Sequence, residues 1–283
     1  YEFLVKNTNS HNKNTNYKNK ENFYLSGIFQ HNSSLPLIAE NNIYQKILKP
    51  KLTFKAAPNH TKDERNEERK IDITNIYSIG RAVEKNTVEG GLSLAYGFDY
   101  SLLNKSKNKE TLNFKIANNI RLRNNDDLTN SNQIGEKTSN VFSEIAYSPY
   151  NFFTAKYVSS IKNNLKDIDN ENLISEFKFD NFMTTFDYLN ENSSLDKNSY
   201  ISNTTSYSLD KFNSLNFSTR KNKTKDLTEY YNFMYQYQND CLAASIEYNK
   251  DFYSDRELQP DESILFKLTI TPFAEVTSPN IKQ

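Results

Sequence analysis

The sequence predicts an all-β fold, an antiparallel transmembrane β-barrel, and three observations lead to that prediction. From Leu92 onward, apolar residues recur at every second position, which is the period of strands with two unlike faces. The segments between these stretches alternate between short turns and long polar loops, as they do in outer-membrane barrels. The composition is 36% hydrophobic yet 13% aromatic, and a barrel with a polar lumen and polar loops combines these two properties.

Composition and charge argue against several classes of function. The 35 Lys and Arg residues balance 35 Asp and Glu residues, so no global field would attract nucleic acid or an anionic surface. A disordered chain would share the low hydrophobicity but would be poor in Phe and Tyr. No run approaches the roughly 18 to 20 apolar residues of a membrane helix, so a closed barrel is the remaining way to cross a membrane.

The predicted barrel region spans residues 22–273. Residues 1–21 are rich in Asn and Lys, so we expect a loop or a truncated N-terminal segment there. Residues 274–283 should form a C-terminal tail. Because the chain begins at Tyr1 with neither a Met nor a leader, we expect an interior fragment of a longer protein.

Predicted strands and connections follow one another along this region. Early strands are predicted at residues 22–31, 36–45 and 49–57, before a long charged excursion at 58–87. Later short turns are predicted at 148–151, 180–181, 209–212 and 238–240. They interleave with long polar loops at 124–139, 163–171, 190–198, 221–227 and 250–261. We count about fourteen strands, an even number, which places the C-terminal end beside the short, periplasmic turns.

No arrangement of catalytic or metal-ligating residues can be assembled from the motifs. The sequence has no Gly-x-Ser-x-Gly, no His-Glu-x-x-His and no cysteine with a linked histidine signal. His11, His31 and His60 lack the spacing of metal ligands. We therefore predict neither an enzyme nor a cofactor.

Four charged residues occupy the non-apolar phase of their strands. In a barrel this phase faces the lumen, where charged side chains remain hydrated. The candidate lumen-facing charges are Arg121, Lys178, Glu247 and Lys267.

Six glycines are scattered along the chain, and only two short stretches concentrate them. Gly90 and Gly91 follow Glu89, and Gly97 follows Tyr96 within an alternating stretch. No phosphate-cradling pattern precedes a helix there. These glycines should therefore mark close backbone approach or a bend within a strand.

Cys241 is the single cysteine, so the chain cannot hold an internal disulfide. It follows the predicted turn at residues 238–240 and should lie at the periplasmic rim. Two readings stay open. Cys241 could be a small buried residue, as free cysteines often are, or it could bridge to a periplasmic segment outside this sequence, in a compartment that permits disulfides.

Four stretches resemble the C-terminal domain of the LptD family of LPS-assembly outer-membrane proteins. They are residues 48–58 (LKPKLTFKAAP), 88–102 (VEGGLSLAYGFDYSL), 235–255 (YQYQNDCLAASIEYNKDFYSD) and 260–273 (PDESILFKLTITPF). The last two are the most specific. They combine an Asp-Cys that opens a strand, a Tyr-rich loop and a final Ser-Ile-Leu-Phe strand.

The resemblance implies a larger barrel in the outer membrane of a Gram-negative bacterium, of which this chain supplies only the later strands. It implies lipopolysaccharide (LPS) as the transported partner, outer-membrane lipids around the barrel and an LptE-like plug lipoprotein in the lumen. A periplasmic LPS-bridge protein would be reached through the missing N-terminal domain. Cys241 would match one cysteine of a family pair that bridges to that domain, but Leu242 at the next position departs from the pattern.

The implied function is insertion of LPS into the outer leaflet through a lateral gate in the barrel. The C-terminal wall of the gate would be the last predicted strand, formed by Ser263, Ile264, Leu265, Phe266, Lys267, Leu268, Thr269, Ile270 and Thr271. Two other readings stay open. A generic porin or uptake barrel would share the architecture, and conductance would distinguish it. A soluble β-sandwich or adhesin module would be extracted without detergent.

Overall fold

The computed structural model describes residues 1–11, 21–67, 69–83, 86–192, 197–252, 260–270, 274–277 and 281–282. These residues form seventeen β-strands and one short 3₁₀ turn at Ser131–Gln133. No helix among them is long and apolar enough to cross a membrane. The strands are β1 Glu2–His11, β2 Glu21–Ser34, β3 Leu37–Glu40, β4 Tyr44–Ala57, β5 Gly91–Asn104, β6 Lys109–Arg121, β7 Val141–Tyr150, β8 Phe153–Ile161, β9 Ile168–Phe179, β10 Phe182–Asn192, β11 Lys197–Ser208, β12 Asn213–Asn222, β13 Leu227–Gln238, β14 Leu242–Asp251, β15 Asp261–Ile270, β16 Ala274–Thr277 and β17 Ile281–Lys282.

The strands form antiparallel hairpins in chain order. The longest pairing joins β4 to β5, from Tyr44 opposite Asn104 to Ala57 opposite Gly91. Strands β10 to β15 pair successively in the same way. The period-two pattern specifies this register, because a slip by one residue would move every apolar side chain to the other face. The prediction of an all-β antiparallel fold is confirmed.

The strand predicted at residues 36–45 is wrong in its extent. Strand β3 ends at Glu40, and a turn follows in which Asn41 Oδ1 accepts hydrogen bonds from the N–H groups of Ile43 and Tyr44. Both β2 and β3 pair with β4, so they run as one interrupted strand along it. The interruption falls at Pro36, which has no N–H to donate to a ladder.

The loop predicted for the N-terminal segment is wrong over its first half. Strand β1 pairs with β2 along its whole length, from Glu2 opposite Gln30 to His11 opposite Glu21. Phe3 and Val5 are exposed in one phase of the strand, but Asn7 and Asn9 follow them in that phase and Leu4 lies in the other phase, so the sequence shows no clear alternation. Residues 12–20 lie outside the described part of the chain. The predicted tail contains the two short strands β16 and β17.

The chain divides into two compact units. Unit 1 comprises Tyr1–Ile145 and Val158–Asn170, and unit 2 comprises Ala146–Tyr157 and Glu171–Gln283. Unit 1 contains two long connections, residues 58–90 between β4 and β5 and residues 122–140 between β6 and β7, close to the predicted excursion and first long loop. Every buried hydrophobic side chain among the described residues belongs to unit 1.

The connections of unit 2 agree with the predicted short turns better than with the predicted long loops. Residues 180–181 and 209–212 connect strands as predicted, and the turn predicted at 238–240 lies at 239–241. The long loops are shorter than predicted, because polar residues continue the strands beyond the apolar alternation. The connection predicted at 221–227, for example, spans only residues 223–226.

Candidate functional site on the inner face

The strands of unit 1 have two unlike faces. Ser93 of β5 and Asn119 and Arg121 of β6 are buried beneath the long connections, on the side that we call the inner face. Tyr96 and Ile120 point to the opposite side, the outer face, where they are 43% and 40% exposed. Polar side chains inside and apolar side chains outside are the arrangement of a membrane barrel and the reverse of a soluble sheet.

A hydrophobic core fixes the two long connections against the inner face, and we call residues 58–90 and 122–140 together the plug. Backbone and side-chain bonds join its two parts, including Glu64 N–H to Asp127 O at 2.7 Å and Asn132 Nδ2 to Arg69 O at 2.9 Å. Each large apolar side chain buried in such a core stabilises the fold by about 1.5–3 kcal/mol. The core residues are Ile71, Ile73, Ile76, Ala82, Val83, Ala95, Ala117, Leu128, Ile134 and Phe142.

A buried charge network centres on Glu89, at the end of the first connection. Arg81 binds both carboxylate oxygens, with Nε 3.0 Å from Oε2 and Nη2 2.8 Å from Oε1. Arg121 Nη1 donates to Oε1 at 2.6 Å, and Lys55 Nζ lies 3.4 Å from Oε2. All four side chains are at most 1% exposed. One carboxylate therefore faces three buried cations. Several of their other donors reach neutral acceptors such as Asn119 Oδ1, whereas Arg121 Nε has no hydrogen-bond partner among the described residues.

The three cations keep Glu89 ionised. Burial alone would raise the pKa of this carboxyl, but Arg81, Lys55 and Arg121 together hold it well below its usual range. A buried ion pair adds little net stability, whereas removal of one partner leaves a buried charge uncompensated and destabilises the fold strongly. The network therefore specifies where the plug lies against β4, β5 and β6.

Close backbone approach at the glycines is confirmed. A Cβ atom on Gly90 would lie 2.8 Å from Thr61 Oγ1 and 2.9 Å from Pro58 O. A Cβ atom on Gly97 would collide with the carbonyl oxygen of Ile116 and lie 2.5 Å from the hydroxyl of Tyr77. Gly90 is glycine because other parts of the plug approach it closely, and Gly97 because the backbone of β6 and the plug residue Tyr77 leave no room for a Cβ atom.

The structure brings only one of the four predicted charges into this network, Arg121. Lys178 is exposed at the end of β9, beside the turn at residues 180–181. Glu247 in β14 is half-buried and accepts a hydrogen bond from Asn232 Nδ2. Lys267 in β15 is half-buried opposite Ser245. The lumen-facing assignment of these residues stays a prediction.

The predicted gate strand corresponds to β15, although Thr271 lies outside the described residues. One edge of β15 pairs with β14 along ten residue pairs, from Leu242 opposite Ile270 to Asp251 opposite Asp261. The other edge carries short pairings with the C-terminal tail, four with β16 and two with β17. Among the described residues, β15 therefore has ten pairs on one edge and six on the other.

Cys241 is exposed, so its reading as a small buried residue is wrong. It lies in the turn at residues 239–241, and its N–H donates to Asn239 Oδ1 at 2.9 Å. The turn leaves its side chain on the surface. A bridge from Cys241 to another segment stays a prediction.

The sequence analysis missed Lys55, Arg81 and Glu89 as functional candidates. Lys55 occupies the same phase as the buried Thr53, so the alternation that selected Arg121 would have selected it as well. Arg81 and Glu89 lie in an irregular connection that has no period. Only the three-dimensional fold brings these two residues to the inner face.

The unlike faces, the antiparallel ladders and the inner plug define a protein of the outer-membrane β-barrel class. The family LptD, described as LPS transport system D, matches residues 2–220. The chain belongs to this family of outer-membrane LPS-transport barrels.

Three solved structures resemble the chain in backbone path. One is described as "Asymmetric conductivity of engineered proteins" and is 6% identical with a TM-score of 0.40. Two are mutants of the porin of Rhodopseudomonas blastica, 5% and 7% identical with TM-scores of 0.40 and 0.39. Each alignment covers 98% of this chain and 93% of the other chain. Among curated proteins, no sequence matches this chain.

Proposed function

We propose that the complete protein inserts LPS into the outer leaflet of the outer membrane through a lateral gate, and that β15 forms the C-terminal wall of this gate. The observation that carries the LPS-transport part of the proposal is the family match over residues 2–220. Strand β15 lies beyond the matched residues, and its role as the gate wall is proposed from its alternation and its pairing. No bond is made or broken in this function. The demand on the protein is physical: sugars need a polar path, and acyl chains need an apolar one.

The alternation in β15 supplies both paths along one strand. Ile264 and Phe266 are 41% and 45% exposed on the outer side, while Ser263 is buried and Lys267 is half-buried in the opposite phase. An amphipathic molecule that moves along this strand could keep its acyl chains beside the first pair and its sugars beside the second. The weakly paired edge of β15 is the edge that would part.

Two further partners and one disulfide follow from the same proposal. An LptE-like lipoprotein would occupy the lumen against the strands of unit 2, whose described residues include no buried hydrophobic core. A periplasmic bridge protein would deliver LPS through a domain outside this sequence. Cys241, exposed in a short turn, would form a disulfide with that domain, and the short turns and the C-terminus would then lie in the periplasm.

Photo-crosslinking in living cells tests the proposal. A photoreactive residue replaces Lys267 in the full-length protein, and a matched control replaces Met234, in the same phase two strands away. We expect an LPS adduct from position 267 that clearly exceeds the adduct from position 234. A barrel that is folded in the outer membrane but yields no adduct at positions 263, 265 or 267 would contradict the proposal, and ion or sugar conductance would then favour a porin.

A further inference from the structure

The edge of β15 that faces away from β14 is covered by two short strands that follow β15 in the chain. Strand β16 pairs with residues 267–270 and β17 pairs with residues 263–264, both antiparallel to β15. Strand β14 pairs with all ten residues of the other edge. The backbone N–H and C=O groups of one edge bond to one neighbouring strand at a time. A further strand could therefore pair with β15 only where β16 and β17 give way.

Strands β16 and β17 have features by which natural sheets protect an exposed edge. They are very short, with four residues in β16 and two in β17. If the register of β16 continued, Ser263 would lie opposite Ile281, but it lies opposite Lys282. The sequence between the two strands includes Pro279, which has no N–H to donate to a ladder. Short edge strands, irregular register and proline all discourage the addition of another strand.

The same features make this pairing easy to displace. Six residue pairs join β15 to β16 and β17, whereas ten join it to β14. The addition of a strand to a sheet edge is a mode by which proteins bind extended peptides, with affinity supplied by main-chain hydrogen bonds. Because only residues 271–273 separate β15 from β16, the effective concentration of this strand at the edge is high. The two short strands thus resemble a weak peptide ligand that is tethered to its site.

We infer that β16 and β17 form an edge cap on β15, and that a strand from the opposite wall of the gate seals the gate only by displacing this cap. The cap prevents strands of other proteins from pairing with β15 while the gate is unsealed. The inference deepens the proposed function by adding a regulatory segment to the gate. It rests on that function only for the identity of the competing strand as a gate wall.

Disulfide trapping in the full-length protein, in cells, tests whether the cap covers β15. The test variant combines Thr269→Cys with Glu275→Cys, at positions that lie opposite each other. The offset control combines Thr269→Cys with Thr277→Cys, because Thr277 lies opposite Lys267 instead. Heat-modifiability gels confirm that each variant is folded. Mass spectrometry of the linked peptides distinguishes the engineered bridge from any bridge that Cys241 forms.

We expect the in-register pair to form about tenfold more disulfide than the offset pair, because departures from disulfide geometry store strain. Equal yields from the two pairs would overturn the inference. The absence of a bridge in a folded test variant would overturn it as well, since β16 would then not pair with β15.

The oxidised test variant also shows whether the cap and the opposite wall exclude each other. A bridge between positions 269 and 275 fixes the cap on the edge, so we expect several-fold faster uptake of a large antibiotic across the outer membrane. A reductant should reverse this leak. The control Gln236→Cys with Ser245→Cys joins β13 to β14 in the same phase, away from the gate, and should leave the barrier intact.

A fixed cap that leaves the outer membrane as tight as the reduced variant does would overturn the inference, because both strands could then occupy the gate together. Neither the disulfide yield nor the antibiotic uptake depends on an LPS adduct. Failure of the proposed LPS function at position 267 is therefore distinguishable from failure of the edge cap.

Discussion

The two units of this chain differ in what packs against their strands. Unit 1 covers its strands with a plug that has a hydrophobic core and a network of four buried charges. Unit 2 has short connections, and its described residues include no buried hydrophobic side chain. Under the proposed function, the plugged strands would serve as a fixed wall, and the last strands would be the ones available to a partner lipoprotein and to opening.

Removal of the buried anion should have the largest effect and should damage unit 1. In Glu89→Gln, three buried cations lose the carboxylate that they share, so we expect the free energy of unfolding to fall by about 3–5 kcal/mol. The measurement is urea unfolding of the protein in detergent, and the folded fraction is read from heat-modifiability gels. The control is Asp63→Asn, which breaks the surface pair with Arg65 and should leave the midpoint unchanged. Equal midpoints for both variants would show that the network does not hold the plug.

Two substitutions at neighbouring positions of β15, in unit 2, test which side of this strand meets the membrane. Leu268→Lys places a charge on the outer face and should cost about 2–4 kcal/mol if that position lies near the membrane centre. Lys267→Leu, one residue away, should be tolerated. Assembly in cells is followed by the heat-modifiability gel. Equal assembly of the two variants would contradict the assignment of faces.

Acid should weaken unit 1 through Glu89. Its pKa is lowered in the folded protein, so its contribution to stability is present above the unfolded pKa of about 4.3 and is lost as the pH falls through the folded value. The stability gap between the wild type and Glu89→Gln should therefore shrink only below about pH 4. Urea midpoints at pH 7, 5 and 3 would measure the gap. A gap that closes between pH 7 and pH 5 would contradict the lowered pKa.

The smallest effect is expected where the two units are alike. Asn41 in unit 1 and Asn239 in unit 2 both accept two backbone hydrogen bonds that form a turn. Substitution of either residue by Ala should reduce stability by only about 0.5–1.5 kcal/mol, and by similar amounts. The same unfolding measurement would reveal any difference. A much larger loss at Asn239 would mean that unit 2 depends on its turns as unit 1 depends on its plug.

The regular part of the fold could be predicted from the sequence, because alternation encodes both the strand and its face. Strand β15, the inward phase of Arg121 and the turn at residues 209–212 all follow from the period of two. Strand β1 could not, because Asn7 and Asn9 continue the phase of the exposed Phe3 and Val5 while Leu4 lies in the other phase, so neither phase is uniformly apolar.

The burial of the plug could not be predicted from the sequence. Its charged excursion resembles a solvated loop, since mixed charges usually remain in water. Arg81 and Glu89 are nevertheless fully buried, because they pair with each other and with Lys55 and Arg121 from two strands. No local sequence pattern predicts that charged residues of a loop will form ion pairs with residues of strands that lie far away along the chain.

Hydrogen–deuterium exchange of the full-length protein in an LPS-containing bilayer tests the central claim most directly, that one wall of the barrel is fixed and another opens. We predict that amides of β5 and β6 remain protected longest, since the plug covers them. Amides of β15 that face its weakly paired edge should exchange much faster. Protection of β15 equal to that of β5 would contradict the account, because a strand held as firmly as the plugged wall could not form a gate.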